Sequence, residues 1–394
     1  MLYIQTILVY AILAFCMYKG AYLSAQNTQL SKLWAWIPII AFTLVFGLRY
    51  GVGIDYFNYE GIYEYLYHYD SLSEAIEDSK LEDGFLAIMY LCSNVLKLPA
   101  YGLFTIIAFL QIYLLYRTFK DEGNVLGYIY IVLILTSTCV GSFMNIMRQE
   151  IAICLFFYSL KYIIDDKPIQ YWIICIVAFY FHHSAIILFP LYFLWIRRKS
   201  LFNNPTIELV ILLLFFLSSL FTQWQSILHL FDNTISWIGY VDYLDRADKL
   251  VSGGDIGIMT IFTLLVNCLI VLNSKQLKAH YNSNLLNILY DLYFIGVCLS
   301  YLFMGSMLLG RIIAYFSHAG FILLGYTLYY LRQVRKQQTT YMVHYMVVII
   351  FIVFSFGILI RDCRINTAAY VSVFQTELHT EKLNSYEDMI QKRE

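Results

Sequence analysis

The chain has 394 residues, of which 60% are hydrophobic and only 13% are charged, and its mean hydropathy is +0.65. The formal net charge of −1 says nothing about nucleic acid, and no basic tract suggests a nucleic-acid partner. Apolar stretches of membrane-spanning length recur from end to end, which leaves no room for a separate soluble domain. The composition therefore predicts an all-α, polytopic protein embedded in membrane lipid.

Thirteen apolar runs predict the membrane helices. In chain order they fall at about 3–18, 33–50, 84–98, 101–117, 124–142, 146–164, 168–182, 184–196, 207–222, 256–273, 286–304, 310–331 and 341–360. The run at 84–98 is short and favours a re-entrant segment. The stretch 168–196 is either two tilted or broken helices or one span with histidines at mid-depth. We expect a helix bundle with about 11–13 membrane helices, including short or re-entrant ones.

Loop charges predict the orientation of the chain. The short connections hold fourteen Lys and Arg residues against four Asp and Glu residues, whereas loops 51–83 and 223–255 hold three against fourteen. The positive-inside rule places the short connections in the cytoplasm and the two long loops outside. Both sets are satisfied together only if 84–98 is re-entrant and 168–196 crosses twice.

Ionisable residues gather at the predicted outer face of a single transmembrane domain, 1–361, which a polar C-terminal tail, 362–394, follows. A charge beside or inside a membrane span costs several kcal/mol unless it is paired or hydrated, so each is a functional candidate by default. These residues are Arg49, Asp55, Arg148, His182, His183, Arg311 and Arg361. Three arginines with histidine and aspartate favour a site for an anion with several phosphate oxygens.

The segment 47–59 carries the densest signal. Arg49 lies near the end of a predicted helix, and its guanidinium group matches the geometry of phosphate oxygens. Asp55 follows a turn that two glycines allow, and it would accept a proton from a hydroxyl or pair with a cation. The alternative is an arginine that caps its helix and an aspartate in an ordinary turn.

The tyrosines that follow predict one aromatic helix face. They stand at spacings of three and four, as Tyr56, Tyr59, Tyr63 and Tyr67. Such a face suits stacking against sugar rings, which makes Tyr56 and Tyr59 candidate sugar-binding residues. A helix lying at the level of the lipid headgroups would look the same.

Two further arginines begin apolar helices. Arg148 lies just inside the helix that runs to Tyr162, and Glu150 on a different face is a poor partner within that helix. Pairing with another helix is the structural alternative to anion binding. Arg311 stands at a helix start, where a cation opposes the macrodipole, so an anionic ligand would favour it there.

His182 and His183 interrupt an apolar run, and an imidazole can act as general acid or base near neutral pH. Adjacent residues of a regular helix face different sides, so at most one of the pair is expected to be catalytic. A histidine satisfied at the membrane interface is the alternative. No metal and no cofactor is expected, since carboxylates and cysteines are absent at helical ligand spacing nearby.

The order of four short motifs resembles that of the EpsG-like family, membrane proteins of bacterial exopolysaccharide and capsule clusters regarded as Wzy-type polysaccharide polymerases. The resemblance covers roughly 40–330. It is carried by Arg49–Tyr56 (RYGVGIDY), Met147–Ala152 (MRQEIA), His183–Ala185 (HSA) and Gly310-Arg311 before Tyr315-Phe316. One departure is Glu150, where the family is expected to carry a small residue such as glycine.

The resemblance implies a GT-C-like, metal-independent glycosyltransferase of the bacterial cell membrane, with its active site facing outside. Its substrate would be an oligosaccharide linked to undecaprenyl pyrophosphate, and its partners a flippase and a chain-length regulator. Arg148 and Arg311, with Arg49, would bind the pyrophosphate leaving group. Asp55 or His183 would take the proton of the acceptor hydroxyl.

Other functions stay open at this point. A membrane acyltransferase that modifies envelope glycans could use His182 or His183 as its base, without an obvious need for three arginines. A flippase for lipid-linked saccharides could use the arginines as an anion path, but the sequence shows no internal symmetry. A lipid-donor glycosyltransferase that adds a single sugar differs little from a polymerase in sequence.

Overall fold

The structure is a computed structural model that describes residues 2–26, 28–195, 199–220, 257–304, 306–362 and 369–391. The predicted outer loop 223–255 lies outside the described residues. Nearly all of the described chain is helical. The α-helices are α1 (Leu2–Ser24), α2 (Ser31–Trp34), α3 (Trp36–Gly47), α4 (Tyr56–Tyr65), α5 (Leu72–Asp78), α6 (Asp83–Tyr90), α7 (Ala100–Phe119), α8 (Val125–Leu135), α9 (Ser137–Asn145), α10 (Met147–Ile164), α11 (Pro168–Phe181), α12 (Leu191–Trp195), α13 (Pro205–Ser219), α14 (Ile258–Leu272), α15 (Ser274–Tyr281), α16 (Asn284–Leu302), α17 (Met307–Val334), α18 (Thr339–Asp362) and α19 (His379–Gln391).

The lengths of these helices confirm a polytopic, all-α membrane protein. Within the described ranges, five helices are long and apolar enough to cross a membrane, and up to seven spans result if each bent pair counts as one. The bent pairs are α8 with α9, at 78°, and α14 with α15, at 53°. Shorter apolar helices supply the short elements that the sequence predicts, among them Asp83–Val95 and Pro168–Phe181. The side of the membrane that each loop faces stays a prediction.

The bend between α8 and α9 has a local cause. Thr136 leaves the helical conformation, with φ −103° and ψ 125°, and its hydroxyl donates back to the Val132 carbonyl at 2.7 Å. Hydroxyl side chains compete with the helical backbone in this way. The Ser355 hydroxyl accepts the Ser137 N–H at 3.2 Å, which satisfies one of the donors exposed at the start of α9. The bend directs α9 so that it ends immediately before Arg148.

The described residues form two compact units. Unit 1 consists of Met1–Ser159, Ile173–His182 and Ile352–Glu394, and unit 2 consists of Leu160–Trp172 and His183–Phe351. Arg49, Asp55, Arg148 and His182 belong to unit 1, whereas His183 and Arg311 belong to unit 2.

The predicted tyrosine face of α4 exists, and it packs into the core of unit 1. Tyr56, Tyr59 and Tyr63 are only 1%, 4% and 1% exposed. Their rings meet aromatic side chains of neighbouring helices, with Tyr56 at 4.8 Å from Phe104 and Tyr59 at 5.6 Å from Phe85 between ring centroids. The periodicity is thus explained by burial of apolar ring surface in the protein.

The C-terminal segment 369–391 folds back onto unit 1. The Tyr50 N–H donates to the Val371 carbonyl at 2.8 Å, and the Tyr370 N–H donates to the Thr6 hydroxyl at 3.0 Å. The segment then continues into the helix α19. The start of α1, the end of α3 and the C-terminal segment therefore lie at the same end of unit 1.

Candidate active site around Arg148

Two glycines shape the loop that follows Arg49. Gly51 and Gly53 have φ of +58° and +103°, a conformation that residues with a Cβ rarely adopt. The turn brings the Ile54 N–H to the Asn145 Oδ1 at 2.7 Å. A Cβ at Gly53 would lie 2.5 Å from the same oxygen, so only glycine fits. The motif Arg49–Tyr56 is thereby fixed to the end of α9, just before the motif Met147–Ala152.

Arg49 is 1% exposed and holds this loop from within. Its guanidinium donates to the carbonyls of Phe46, of Val52 at 3.2 Å and of Met144 at 3.1 Å. It also lies 5.0 Å from the ring centroid of Phe104. Burial lowers the pKa of Arg49 to about 10, so the side chain remains a cation at neutral pH. The bond to the Phe46 carbonyl corresponds to the alternative in which Arg49 caps its own helix. A phosphate-binding role for Arg49 stays a prediction.

Arg148, at the start of α10, pairs with a carboxylate from another helix. Its Nη1 forms an ion pair with Glu82, and its Nε donates to the Tyr59 hydroxyl at 3.4 Å. The Arg148 side chain is 23% exposed and that of Glu82 only 7%. Among the described residues, none accepts a hydrogen bond from Nη2 of Arg148. One arm of the fork is therefore left for a ligand.

Glu82 also approaches His182, so it links two residues that the sequence singled out. The His182 Nδ1 lies 3.9 Å from the Glu82 Oε1, and His182 is 4% exposed. We call Arg148, Glu82, Tyr59 and His182 the Arg148 cluster. All four belong to unit 1.

Gly84 explains why Glu82 reaches this position. Glu82 precedes α6, and the Phe85 N–H donates to its carbonyl at 3.1 Å. A Cβ at Gly84 would lie 2.8 Å from the Tyr180 carbonyl oxygen, so the start of α6 packs closely against the end of α11. In the sequence, Glu82 stands out only as one of the acidic residues of loop 51–83. A carboxylate two residues before a glycine at the start of an apolar run was the available signal.

The two histidines have different environments. His182 follows α11 and is buried, whereas His183 is exposed and begins the 3₁₀ helix His183–Leu188. The helix ends at Phe181, before His182, so the helices are broken here, and the number of times that 168–196 crosses the membrane stays a prediction. In unit 2, the Ser184 hydroxyl donates to the Tyr315 hydroxyl at 3.2 Å. This bond joins the third motif to the fourth.

Arg311 lies in the second turn of α17 and is half-buried. The helix start is capped by Ser306, whose hydroxyl accepts the Leu309 N–H at 3.2 Å. The sequence placed Arg311 at the start of its helix, but the helix begins at Met307, so the macrodipole argument, which applies within the first turn, does not hold for Arg311. The pyrophosphate role of Arg311 stays a prediction.

Asp55 is half-buried and directly precedes α4. Burial raises the pKa of Tyr59, and the nearby Asp55 carboxylate adds to that shift, while Arg148 opposes it. The Tyr59 N–H donates to the Asp55 backbone carbonyl at 3.0 Å, so Asp55 lies one helical turn before Tyr59. Within the described ranges, no group of three or more His, Cys, Asp or Glu side chains could hold a metal ion. The expected independence from metals stays a prediction.

The arrangement combines a fixed cation with a carboxylate and an imidazole. Arg148 keeps its charge at any physiological pH, and Glu82 and Tyr59 hold its guanidinium in one orientation. An anion that reaches the open arm of the guanidinium meets a donor that needs no reorganisation. Such a group can bind phosphate oxygens and stabilise negative charge that develops on them.

The sequence model of the EpsG family matches residues 32–371. No curated protein and no solved structure matches the chain. The match covers all four motifs, and it confirms the resemblance that their order indicated.

Proposed function

Because the chain belongs to the EpsG family, we propose that it is a polysaccharide polymerase of the bacterial cell membrane. It transfers a growing glycan from undecaprenyl pyrophosphate to a sugar hydroxyl of the next lipid-linked repeat unit, at the outer face. The donor carries its energy in the phosphate ester, which suits a site without nucleotides.

The observation that carries this proposal is the open guanidinium of Arg148. As the anomeric carbon–oxygen bond breaks, negative charge develops on the leaving pyrophosphate. Arg148 stabilises that charge through the arm that Glu82 and Tyr59 leave unused. Arg311, in unit 2, remains a second candidate for pyrophosphate because it belongs to the fourth motif. Arg49 keeps the first motif in place and is the weakest of the three candidates for direct contact.

The proton of the acceptor hydroxyl goes to Asp55 or His183. The hydroxyl oxygen forms the new bond to the anomeric carbon, and the lipid pyrophosphate leaves with the electron pair. Asp55 is half-buried and His183 is exposed, so a substrate can approach either side chain. His182 is buried against Glu82 and acts as a positioning residue for the Arg148 cluster.

The experiment uses a host whose copy of the gene is deleted and then restored. Wild-type protein should return long polymer, whereas Arg148→Ala should leave single lipid-linked repeats. The matched control is Arg117→Ala, because Arg117 is an exposed arginine on α7 whose guanidinium donates to Tyr113 of the same helix. It should restore polymer of normal length.

Other outcomes would identify a different function. Polymer of full length that lacks an acyl substituent, in the deleted host, would indicate an acyltransferase. Lipid-linked repeats trapped inside the cell would indicate a flippase. Lipid-linked repeats that lack one sugar would indicate a transferase that adds a single residue. Normal polymer with Arg148→Ala would remove the proposed role of the arginine.

A further inference from the structure

A cleft beside α4 in unit 1 does not include any residue of the Arg148 cluster. Its volume is about 280 Å³, close to the roughly 300 Å³ of the smallest ligand pockets. The lining comes from α4, the start of α7 and the C-terminal segment 369–391, and it is mostly aromatic and acidic. The side chains that matter are Tyr50, Glu60, Glu64, Tyr67, Tyr101 and His379.

Aromatic rings supply the apolar surface of the cleft. Tyr67 and Tyr101 are 46% and 41% exposed, although both are large rings. The Tyr67 hydroxyl donates to the Leu98 carbonyl at 3.2 Å, which fixes that ring. Tyr50 stacks on His379 with ring centroids 3.5 Å apart and planes 11° from parallel. Fixed, exposed rings of this kind offer flat faces on which the C–H side of a sugar ring can pack.

Carboxylates supply the polar surface. Glu60 and Glu64 are one helical turn apart on α4, and Glu60 accepts a hydrogen bond from the Tyr56 hydroxyl at 3.3 Å. Burial first, and then the nearby Glu64, raise the pKa of Glu60 to about 7. Lys97 lies outside the lining, with its amine 5.7 Å from the Tyr67 ring centroid. Paired carboxylates accept hydrogen bonds from hydroxyl or amino groups and repel phosphate.

We infer that this cleft binds a sugar residue that carries no negative charge. The ring packs on Tyr67 and Tyr101, and its hydroxyl or amino groups donate to Glu60 and Glu64. The inference rests on the proposed function for the identity of the ligand, because a polymerase must hold the glycan as well as the pyrophosphate. It also gives the C-terminal segment a role, since His379 forms part of the wall.

The test titrates purified full-length protein in detergent with the lipid-free repeat oligosaccharide, released by mild acid from the lipid-linked pool. Saturation-transfer NMR follows binding. Tyr67→Ala, and Glu60→Gln combined with Glu64→Gln, should each weaken binding roughly tenfold.

The matched controls are Tyr65→Ala and Glu77→Gln. Tyr65 is 58% exposed at the end of α4, two residues before Tyr67, and Glu77 is an exposed carboxylate of α5, but neither lines the cleft. Both should bind the oligosaccharide as wild type does. Inorganic pyrophosphate should not compete with it.

Two results would overturn the inference. One is a lack of saturable binding to wild-type protein, and the other is equal affinity of Tyr67→Ala and Tyr65→Ala. Arg148→Ala separates this inference from the proposed function, since it should bind the oligosaccharide normally while making no polymer. Polymer made by Arg148→Ala would contradict the pyrophosphate role and leave the binding result standing.

Discussion

The Arg148 cluster of unit 1 and the Asp291 network of unit 2 both hold a charged side chain away from water. Asp291, on α16, is fully buried at 0% exposure. Its carboxylate accepts from the Trp195 indole N–H at 3.0 Å and the Leu201 N–H at 2.8 Å. It also accepts from the Ser200 hydroxyl at 2.6 Å. The Arg148 side chain, in contrast, is 23% exposed.

The two regions differ in how completely the hydrogen-bonding groups of the charged side chain are paired within the protein. Within the described ranges, the Asp291 carboxylate accepts from three protein donors, and the Lys278 amine extends the network by donating to Ser200 at 2.8 Å. In the Arg148 cluster, Glu82 and Tyr59 use only part of the guanidinium. A buried charge with all partners inside contributes to folding, whereas a fixed charge with a donor left open is arranged for a ligand. The comparison therefore predicts that Asp291 matters for stability and Arg148 for activity.

Asp291→Ala should lower the stability of the protein more than any other proposed substitution, because it removes the acceptor at the centre of the network. The buried Trp195 indole N–H and the part-buried Ser200 hydroxyl and Leu201 N–H lose their acceptor at once, so we expect a loss of about 3–5 kcal/mol. Thermal unfolding in detergent would measure the loss, with Asp121→Ala as the control because the Asp121 side chain is 85% exposed. Polymer made per folded molecule should stay close to wild type. Full stability together with lost activity would contradict the assignment of this network to folding.

Arg148→Lys should show the opposite pattern. Lysine keeps the charge beside Glu82 but lacks the fork, so we expect polymer formation to fall roughly 100- to 1000-fold with little change in stability. Polymer size and yield in the restored host would measure the loss. Arg117→Lys is the matched control and should behave as wild type. Polymer of normal length with Arg148→Lys would mean that charge alone suffices there.

Much of the fold could be predicted because membrane helices carry a strong sequence signal. Helices such as α1, α16 and α18 are apolar over a full membrane thickness, and length and hydropathy suffice to find them. The same signal identifies the candidate residues Arg148, His182 and Arg311, because an ionisable side chain in or beside an apolar segment is costly and therefore stands out. Two short runs that meet at His182 and His183 allowed either a break or one continuous span, and the helix ends at Phe181.

The remaining features depend on packing between elements distant in the chain. Glu82 reaches Arg148 because Gly84 lets α6 approach the Tyr180 carbonyl, and no local pattern encodes that contact. The tyrosine face of α4 was recognised, but its periodicity is the same for a lipid-facing, a sugar-facing and a buried helix. The C-terminal segment 369–391 is polar and predicts a tail or surface helix, whereas its attachment to Tyr50 rests on backbone hydrogen bonds.

His182→Ala and His183→Ala compare a buried with an exposed side chain at two adjacent residues, for their effects on stability and on activity. His182 is buried against Glu82, so its loss should lower the unfolding temperature and leave part of the activity. His183 is exposed, so its loss should leave stability unchanged and lower polymer yield, with the two variants differing by roughly tenfold or more per folded molecule. Thermal unfolding and polymer yield would be measured together. Equal effects of both variants would indicate packing roles for the pair.

Glu60→Gln should give the smallest effect on stability, and the size of that effect depends on pH. The pKa of Glu60 is raised from its ordinary 4.5 to about 7, so the folded protein disfavours the ionised carboxylate. Ionisation therefore costs stability as the pH rises from about 4.5 through about 7, and the cost is absent below that window. Glutamine removes it, so Glu60→Gln should unfold at a slightly higher temperature than wild type at about pH 8 and at nearly the same temperature at about pH 5. Solvent screening keeps the difference small, because Glu60 is only half-buried.

The charged groups that share the cleft with Glu60 are Glu64 on the same helix and His379 on α19. Glu64→Gln should give a weaker change of the same sign, because it removes only the second cause of the shift. Glu77→Gln, outside the cleft, should show no pH-dependent difference from wild type. A lower unfolding temperature for Glu60→Gln at about pH 8 would mean that the ionised carboxylate is stabilised in the cleft. Glu60 would then resemble the closed Asp291 network more than the open guanidinium of Arg148, and the case for a ligand there would weaken.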